Sequence, residues 1–483
     1  MRFRNTFIFS QRRLYGTAAI LFAYCGAVFA DTYARQPGID AIHYAFRLTL
    51  TDASDEISGE ATADLQFVQP GVTQFWLDLA NLVDGRGMTA TSVMSEGAAV
   101  PYRHEGDRVT ITLSTAPAAG TRRQFTIAYH GIPKDFGRAA AGLSIRKNKY
   151  GERTYFSLNW PDRARQWLPI IDHPSDKATS EFLITAPAKY QVVANGLLQE
   201  TLDLSDGRRM THWKQSVPIA SWLNAIGVAQ FASHYPGAVR GIPLQTWVYW
   251  QDRDKGIVTF EEPARKALEF FIDHIGPYSY EKLANVQAAG LGGGTEHASE
   301  IFYGETSVTD KPATNLVAHE TAHQWFGDSV TEKDWDDVWL SEGFATYFTL
   351  LSTEHYEGRD AFVAGLKRSR NTVFTTEARM PGIAVAHHNL ADMSKVLNQI
   401  VYQKGGWTLH MLRGQIGDEK FWAGIRDYYA RYCNSNASTA EFRRVMEENS
   451  GADLGWFFDQ WIYRVGSPVV AGTWRYDGAA HKV

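Results

Sequence analysis

Apolar and polar positions alternate along the chain in two distinct textures. Between residues 40 and 235, Tyr44, Phe46, Leu48 and Leu50 alternate with Ala45, Arg47 and Thr49. Successive side chains of a strand point to opposite faces, so a period of two marks a half-buried strand. Ala63, Leu65 and Phe67 repeat the pattern, as do Val109, Ile111 and Leu113, and then Phe125, Ile127 and Tyr129. Clusters such as Gly131-Ile132-Pro133 punctuate the runs as turns. The segment predicts an antiparallel β domain of saddle or sandwich type. Near Gly256 the period changes. Segments 258–275, 311–327, 339–357, 394–413, 418–433 and 438–449 carry apolar residues at helical spacing. Pro312 stands where a first helical turn tolerates proline. The change falls within 235–255, through Gly237, Gly241-Ile242-Pro243 and the polar run Gln251 to Lys255. The expected fold class is α+β and multidomain: a β domain over 31–240, a mainly helical domain over 241–468 and a short tail over 469–483.

The first thirty residues read differently. Residues 1–13 hold Arg2, Arg4, Arg12 and Arg13 and no acid; Leu14 to Ala30 is then apolar and small, ending Val28-Phe29-Ala30. A basic region, an apolar region and a small-residue cleavage site form a secretory signal, with cleavage expected after Ala30. The alternative is an uncleaved anchor, for which the apolar run is short. Of the two cysteines, Cys25 leaves with the leader, and Cys433 then has no partner for an internal disulfide. Cys433 reads as a packing residue. Export without disulfides points to a bacterial periplasm or exterior. Of the 483 residues, 44% are hydrophobic and 21% charged, which excludes a mostly disordered chain and a polytopic membrane protein. The formal charge is −5 and grows more acidic once the leader is gone, so nucleic acid is not an expected partner. No membrane association is expected after signal cleavage.

His319-Glu320-Thr321-Ala322-His323 carries the chemistry. On a helix, positions i and i+4 share a face, so both imidazoles can reach one ion, and Glu320 lies beside them as a candidate base for water. A catalytic zinc takes three protein ligands and keeps one position open. The candidate third ligand is Glu342, eighteen residues beyond His323 at the start of a second helical pattern, Leu340-Ser341-Glu342-Gly343-Phe344-Ala345. Two His and one Glu make a hydrolytic rather than a closed structural site. Asp336 and Asp337 are expected to orient an imidazole. The run Gly290 to Gly294 has no Lys-Ser/Thr after it and is no phosphate loop; its glycines would let a strand edge approach a substrate backbone. Tyr402 on its own is one of 22 tyrosines, and His387-His388 reads as a solvated loop pair.

His319 to Thr331 (HETAHQWFGDSVT) with Trp339 to Tyr347 (WLSEGFATY) resembles the zinc metallopeptidases of the aminopeptidase N and leukotriene hydrolase family, the gluzincins. Gly292-Gly293-Gly294-Thr295-Glu296-His297 resembles its G-x-M-E-N motif, Tyr402-Gln403-Lys404-Gly405 its Y-x-K-G segment, and Phe457-Phe458-Asp459-Gln460-Trp461 the end of its catalytic domain. Trp167-Leu168-Pro169 with Asp172, Pro174 and Lys177, then Asn195-Gly196, resembles its N-terminal β domain. The resemblance covers roughly residues 40–470 and implies a thermolysin-like zinc catalytic domain. It implies one Zn2+ per chain on His319, His323 and Glu342, with Glu320 as general base and Tyr402 as donor to the oxyanion. It further implies that Glu296 binds the substrate's free α-amine, with Gly293 and Gly294 beside the substrate. Thr295 and His297 depart from the family's usual Met and Asn. The family's second amine-binding Gln or Glu, in the β domain, is replaced by Trp160, with Asn159 or Asp162 as candidate substitutes. Larger members continue into further β and helical domains; here Ala471 to Val483 follows. The function implied is an exported zinc aminopeptidase acting on peptides with a free N-terminus. The alternatives are an endopeptidase or epoxide hydrolase on the same site, or a non-catalytic zinc-containing binding protein.

Overall fold

The computed structural model describes residues 31–134 and 142–482; the expected leader, 1–30, lies outside the described residues. An eight-stranded sheet dominates the first half. Its strands run in the order Leu197–Asp203, Arg208–Ala220, Lys177–Pro187, Ile39–Thr49, Ile57–Phe67, Arg122–Ile132, Gly87–Ser95 and Ala98–Ala99. The alternation seen in the sequence sets its faces: Tyr44, Phe46, Leu48, Ala63, Leu65, Phe125 and Ile127 are all buried. Pairing is antiparallel except between Ile39–Thr49 and Lys177–Pro187, which run parallel with Phe46 opposite Phe182. A four-stranded sheet places Arg153–Leu158 between Gly142–Lys147 and Ile226–Ala229. Its strand Arg153–Leu158 leads directly to Trp160.

A five-stranded sheet joins the halves, in the order Phe231–Val239, Ile242–Tyr249, Leu283–Ala288, Glu300–Gly304, Gly294–His297. Val286, Ala288 and Phe302 pack into the core of the β half, whereas Leu283, Ile301 and Tyr303 pack into that of the helical half. The strands Leu283–Ala288 and Glu300–Gly304 are covered on both faces, so they show no apolar–polar alternation and periodicity did not reveal them. The boundary expected at 240/241 falls in the turn of the hairpin Phe231–Val239 and Ile242–Tyr249; we propose a division before Phe231, which keeps the sheet whole.

The helices are α1 (Arg253–His274), α2 (Thr314–His323), α3 (Trp339–Glu357), α4 (Arg359–Arg379), α5 (Gly405–Ile416), α6 (Asp418–Tyr432), α7 (Thr439–Ser450) and the single turn α8 (Gly455–Phe458). The spacing predicted α3 over its observed span. It missed α4, whose buried stripe of Phe362, Gly365, Leu366, Ser369 and Val373 is helical in period but includes Gly and Ser, so apolar residues alone do not trace it. The helix expected over 394–413 is broken: a π-turn, Ile400–Lys404, precedes α5. Two packing features bring the site together. Phe326, just past α2, meets Phe344 and Phe348 of α3 with ring centroids 4.6 and 5.0 Å apart. Each such buried ring contributes about 1.5–3 kcal/mol. Gly343 of α3 faces Gly405 so closely that a Cβ on Gly343 would lie 3.0 Å from Gly405 backbone atoms. The glycines let the π-turn press against α3, beside Glu342.

Candidate active site

His319 and His323 project from one face of α2, and Glu342 sits in the first turn of α3. The two Nε2 atoms are 3.3 Å apart, and Glu342 Oε2 lies 3.5 Å from His319 Nε2 and 3.3 Å from His323 Nε2. Those spacings match the edges of a tetrahedron with arms of about 2.0–2.1 Å, the reach of zinc to nitrogen and oxygen. Glu342 Oε2 is buried and has no hydrogen-bond donor. The tautomer of His323 follows from its other nitrogen: Nδ1 lies 3.2 Å from the Phe326 carbonyl oxygen, which can only accept, so Nδ1 carries the proton and Nε2 keeps its lone pair. Ser341 Oγ lies 3.0 Å from the same Nδ1. Gly327, at φ +120°, leaves the room this requires, since a Cβ there would strike Ser341 Oγ.

The charges in this pocket favour a dication. Burial works to raise the Glu342 carboxyl, but the His323 and His319 imidazoles override it and hold it at about 2. Burial opposes a positive charge on His323, yet Glu296, Glu342 and Glu320 together draw its pKa well upward. Glu320 itself is pushed well above the usual carboxylate range, by burial first and then by the Glu296 charge. His319, partly exposed, with the buried His323 and Glu342 thus forms a cluster able to hold one metal ion.

A second grouping shares His323: ligand atoms of Glu296, Glu320 and His323 lie within 4.8 Å of one another. Glu296 is on the edge strand Gly294–His297, and that strand is tied to α2 by Gln324. Gln324 Oε1 accepts from Ser299 N at 2.9 Å and from the Tyr278 hydroxyl at 3.0 Å; its Nε2 donates to the His297 carbonyl and to Asp328 Oδ2. Gly294 lies against Glu320 so closely that a Cβ would collide with its carboxyl group, while Gly293 turns at φ +94°. Tyr402, in the π-turn, donates its hydroxyl to Glu342 Oε1 at 2.6 Å, and burial together with the Glu342 charge raises its pKa well above the phenol value. π-turns are frequent at functional sites, and this one carries a side chain that a regular helix through 394–413 would have aimed elsewhere.

The structure places His319, His323 and Glu342 together, with Glu320, Glu296, Gly294 and Tyr402 around them. Other expectations are corrected. Asp336 and Asp337 orient no imidazole: Asp336 accepts from the backbone of Asn389 and Leu390, and Asp337 from Thr439. The orienting groups are Ser341 and the Phe326 carbonyl. Asn159 is consumed in the core, donating to Asn224 O and accepting from Trp167 Nε1, and Asp162 pairs with Arg163 and Arg165. Trp160 is instead the residue at Glu296, its Nε1 donating to Oε1 at 2.9 Å. His387 rests on the Val396 carbonyl, and Cys433 is partly buried against the helical core.

Fold and site together define the architecture of a gluzincin metallopeptidase: a β half, a mainly helical half, and H-E-x-x-H with a distant Glu. The Peptidase M1 N-terminal domain matches residues 40–223 and the Peptidase family M1 domain matches residues 262–461; the chain belongs to peptidase family M1. It is 31% identical over 326 residues to a glutamyl aminopeptidase of Rattus norvegicus, covering 64% of this chain. The alignment takes in 34% of that relative, so the chain spans about a third of its length. Its fold resembles that of the M1 zinc metallopeptidase of Deinococcus radiodurans, with a TM-score of 0.76 at 24% identity, covering 88% of this chain and 94% of that one. A two-domain M1 zinc metallopeptidase variant solved with L-tryptophan gives 0.76 at 26% identity, covering 90% and 96%.

Proposed function

We propose that the chain is a zinc aminopeptidase, hydrolysing the first peptide bond of peptides with a free N-terminus. One observation carries this reading: a buried carboxylate, Glu296, stands within 4.8 Å of both the base Glu320 and the ligand His323. A substrate ammonium paired with Glu296 would have its first peptide bond beside Glu320. One zinc ion on His319, His323 and Glu342 supplies an electrophile for the carbonyl and lowers the pKa of water to about 7. Glu320 takes a proton from the attacking water and returns it to the leaving amine. Tyr402 stays protonated and donates to the oxygen on which negative charge develops. Gly293 and Gly294 present backbone without side chains to the substrate.

The test is cleavage of matched dipeptide amides, free and N-acetylated, with and without a chelator. Hydrolysis of the free amines alone, lost on chelation, is expected. Glu320→Ala is expected to retain one equivalent of zinc, measured by elemental analysis, and to lose turnover. Activity near wild type in that variant would end the mechanism. We further propose export with cleavage after Ala30, supported by the leader pattern; the exported protein's N-terminal sequence should begin at Asp31. No helix of the described residues is long and apolar enough to cross a membrane.

A further inference from the structure

Trp160 occupies the position where the resemblance leads one to expect a second polar amine ligand, and its contacts give it a different task. Its indole N–H donates to Glu296 Oε1 at 2.9 Å. Its ring packs against two buried indoles, Trp222 of the β half at 5.2 Å and Trp335 of the helical half at 4.7 Å between centroids, and these two lie 6.3 Å from each other, so the three rings form one cluster. Trp335 is fixed in turn, because its backbone N–H donates to Asp31 Oδ2. A planar donor packed against two buried rings turns less freely than an exposed one, so packing and the hydrogen bond together set the direction of its N–H. Glu296 has only this side-chain donor among the described residues, and a carboxylate accepts such a bond without losing its charge.

We propose that Trp160 is a positioning residue for amine recognition: it pins one oxygen of Glu296, leaves the other for the substrate ammonium, and so makes this enzyme read a free N-terminus through a single carboxylate. This rests on the reading of Glu296 as the amine-binding group. A pair of polar ligands would fix the ammonium from two sides. Here one side is a charge and the other is the rigidity of the charge's own support. An unpinned Glu296 would be free to sample other rotamers in the pocket it shares with Glu320. The loss would fall on substrate capture and not on the chemical step, because Trp160 touches neither Glu320 nor a metal ligand in the hydrogen bonds described.

The experiment compares steady-state kinetics of wild type, Trp160→Phe and Glu296→Gln on free dipeptide amides and their N-acetyl forms. Trp160→Phe keeps an aromatic ring and removes the donor. It is expected to raise KM for free amines about tenfold, the low end of a charge-assisted hydrogen bond, with kcat changed less than about threefold. If Trp160→Phe proves unstable on thermal unfolding, the benzothiophene analogue of tryptophan placed at 160 keeps the shape with sulfur in place of N–H, and the same KM rise is expected. A KM within twofold of wild type in a folded donor-less variant overturns the proposal, as does a fall confined to kcat. Glu296→Gln separates the two readings. If it leaves the preference for free amines intact, the amine-binding role of Glu296 fails; if it abolishes that preference while Trp160→Phe changes nothing, only the positioning role fails.

Discussion

Replacing Gly294 by alanine is expected to disable the enzyme without unfolding it. The backbone of the strand Gly294–His297 is extended at this residue, with no positive φ, so alanine is sterically allowed by its own dihedrals. The added Cβ would nonetheless lie closer than 3.0 Å to three atoms of the Glu320 carboxyl end, where ordinary contact begins at 3.4 Å. The carboxyl group is the far end of a flexible side chain, so it yields before the strand does, retreating by on the order of 1 Å. A misplacement of that size at a reacting group lowers turnover about 100-fold. The three nearest atoms all belong to Glu320 and none to His319, His323 or Glu342, so zinc content should stay at one per chain. The retreat relieves most of the clash, leaving a stability change below about 1 kcal/mol, or a few degrees at most in Tm. Gly292→Ala is the matched control, since nothing lies within 4 Å of its Cβ. The assay is kcat on a free dipeptide amide beside zinc analysis and thermal unfolding of both variants. A Gly294→Ala enzyme with kcat within threefold of wild type would refute the assignment of Glu320 as a base poised against this strand. A fall in zinc content would refute the geometry instead.

Tyr402→Phe should lower kcat about 100- to 1000-fold with a smaller effect on KM, because an oxyanion donor acts mainly in the transition state; equal activity would remove Tyr402 from the mechanism. Gln324→Leu should destabilise the fold by about 2–5 kcal/mol in denaturant titrations, since it strands the buried Ser299 N–H and Asp328 carboxylate at once; a change below 1 kcal/mol would show that Gln324 is no brace. Asp31 gives a pH signature. Burial favours its neutral form, but the hydrogen bond and charge of His173 outweigh it and bring its carboxyl down to about 2. A depressed carboxyl stabilises the fold above its unfolded pKa of about 3.8, and the contribution is lost as pH falls toward 2. Asp31→Asn should therefore cost about 1–2 kcal/mol at pH 7, after screening, and almost nothing near pH 2; a gap that widens in acid would contradict the pairing.

The sequence disclosed some features and concealed others for reasons visible in single residues. Strands such as Ile39–Thr49 cover one side of the β half, so their period of two was plain. Leu283–Ala288 and Glu300–Gly304 are buried at every residue and carry no period to read. The metal cluster was legible because i and i+4 on a helix converge by geometry alone, and Glu342 because its spacing resembled a known pattern. Ser341 and the Phe326 carbonyl were hidden. One is a small side chain beside a ligand, and the other is a backbone atom with no sequence signature. Trp160 stood in the sequence as a missing ligand, and only its indole's direction in space reveals what it does.

The sheet from Phe231 to Gly304 belongs to both halves at once, and this bears on how such an enzyme can be taken apart. Cutting the chain ahead of it would strip Val286, Ala288 and Phe302 of their cover and present a bare greasy wall to solvent. The two halves are therefore poor candidates for swapping between relatives as ready-made modules. A foreign β half would have to reproduce the contour of that wall before any question of peptide preference could be asked of the hybrid.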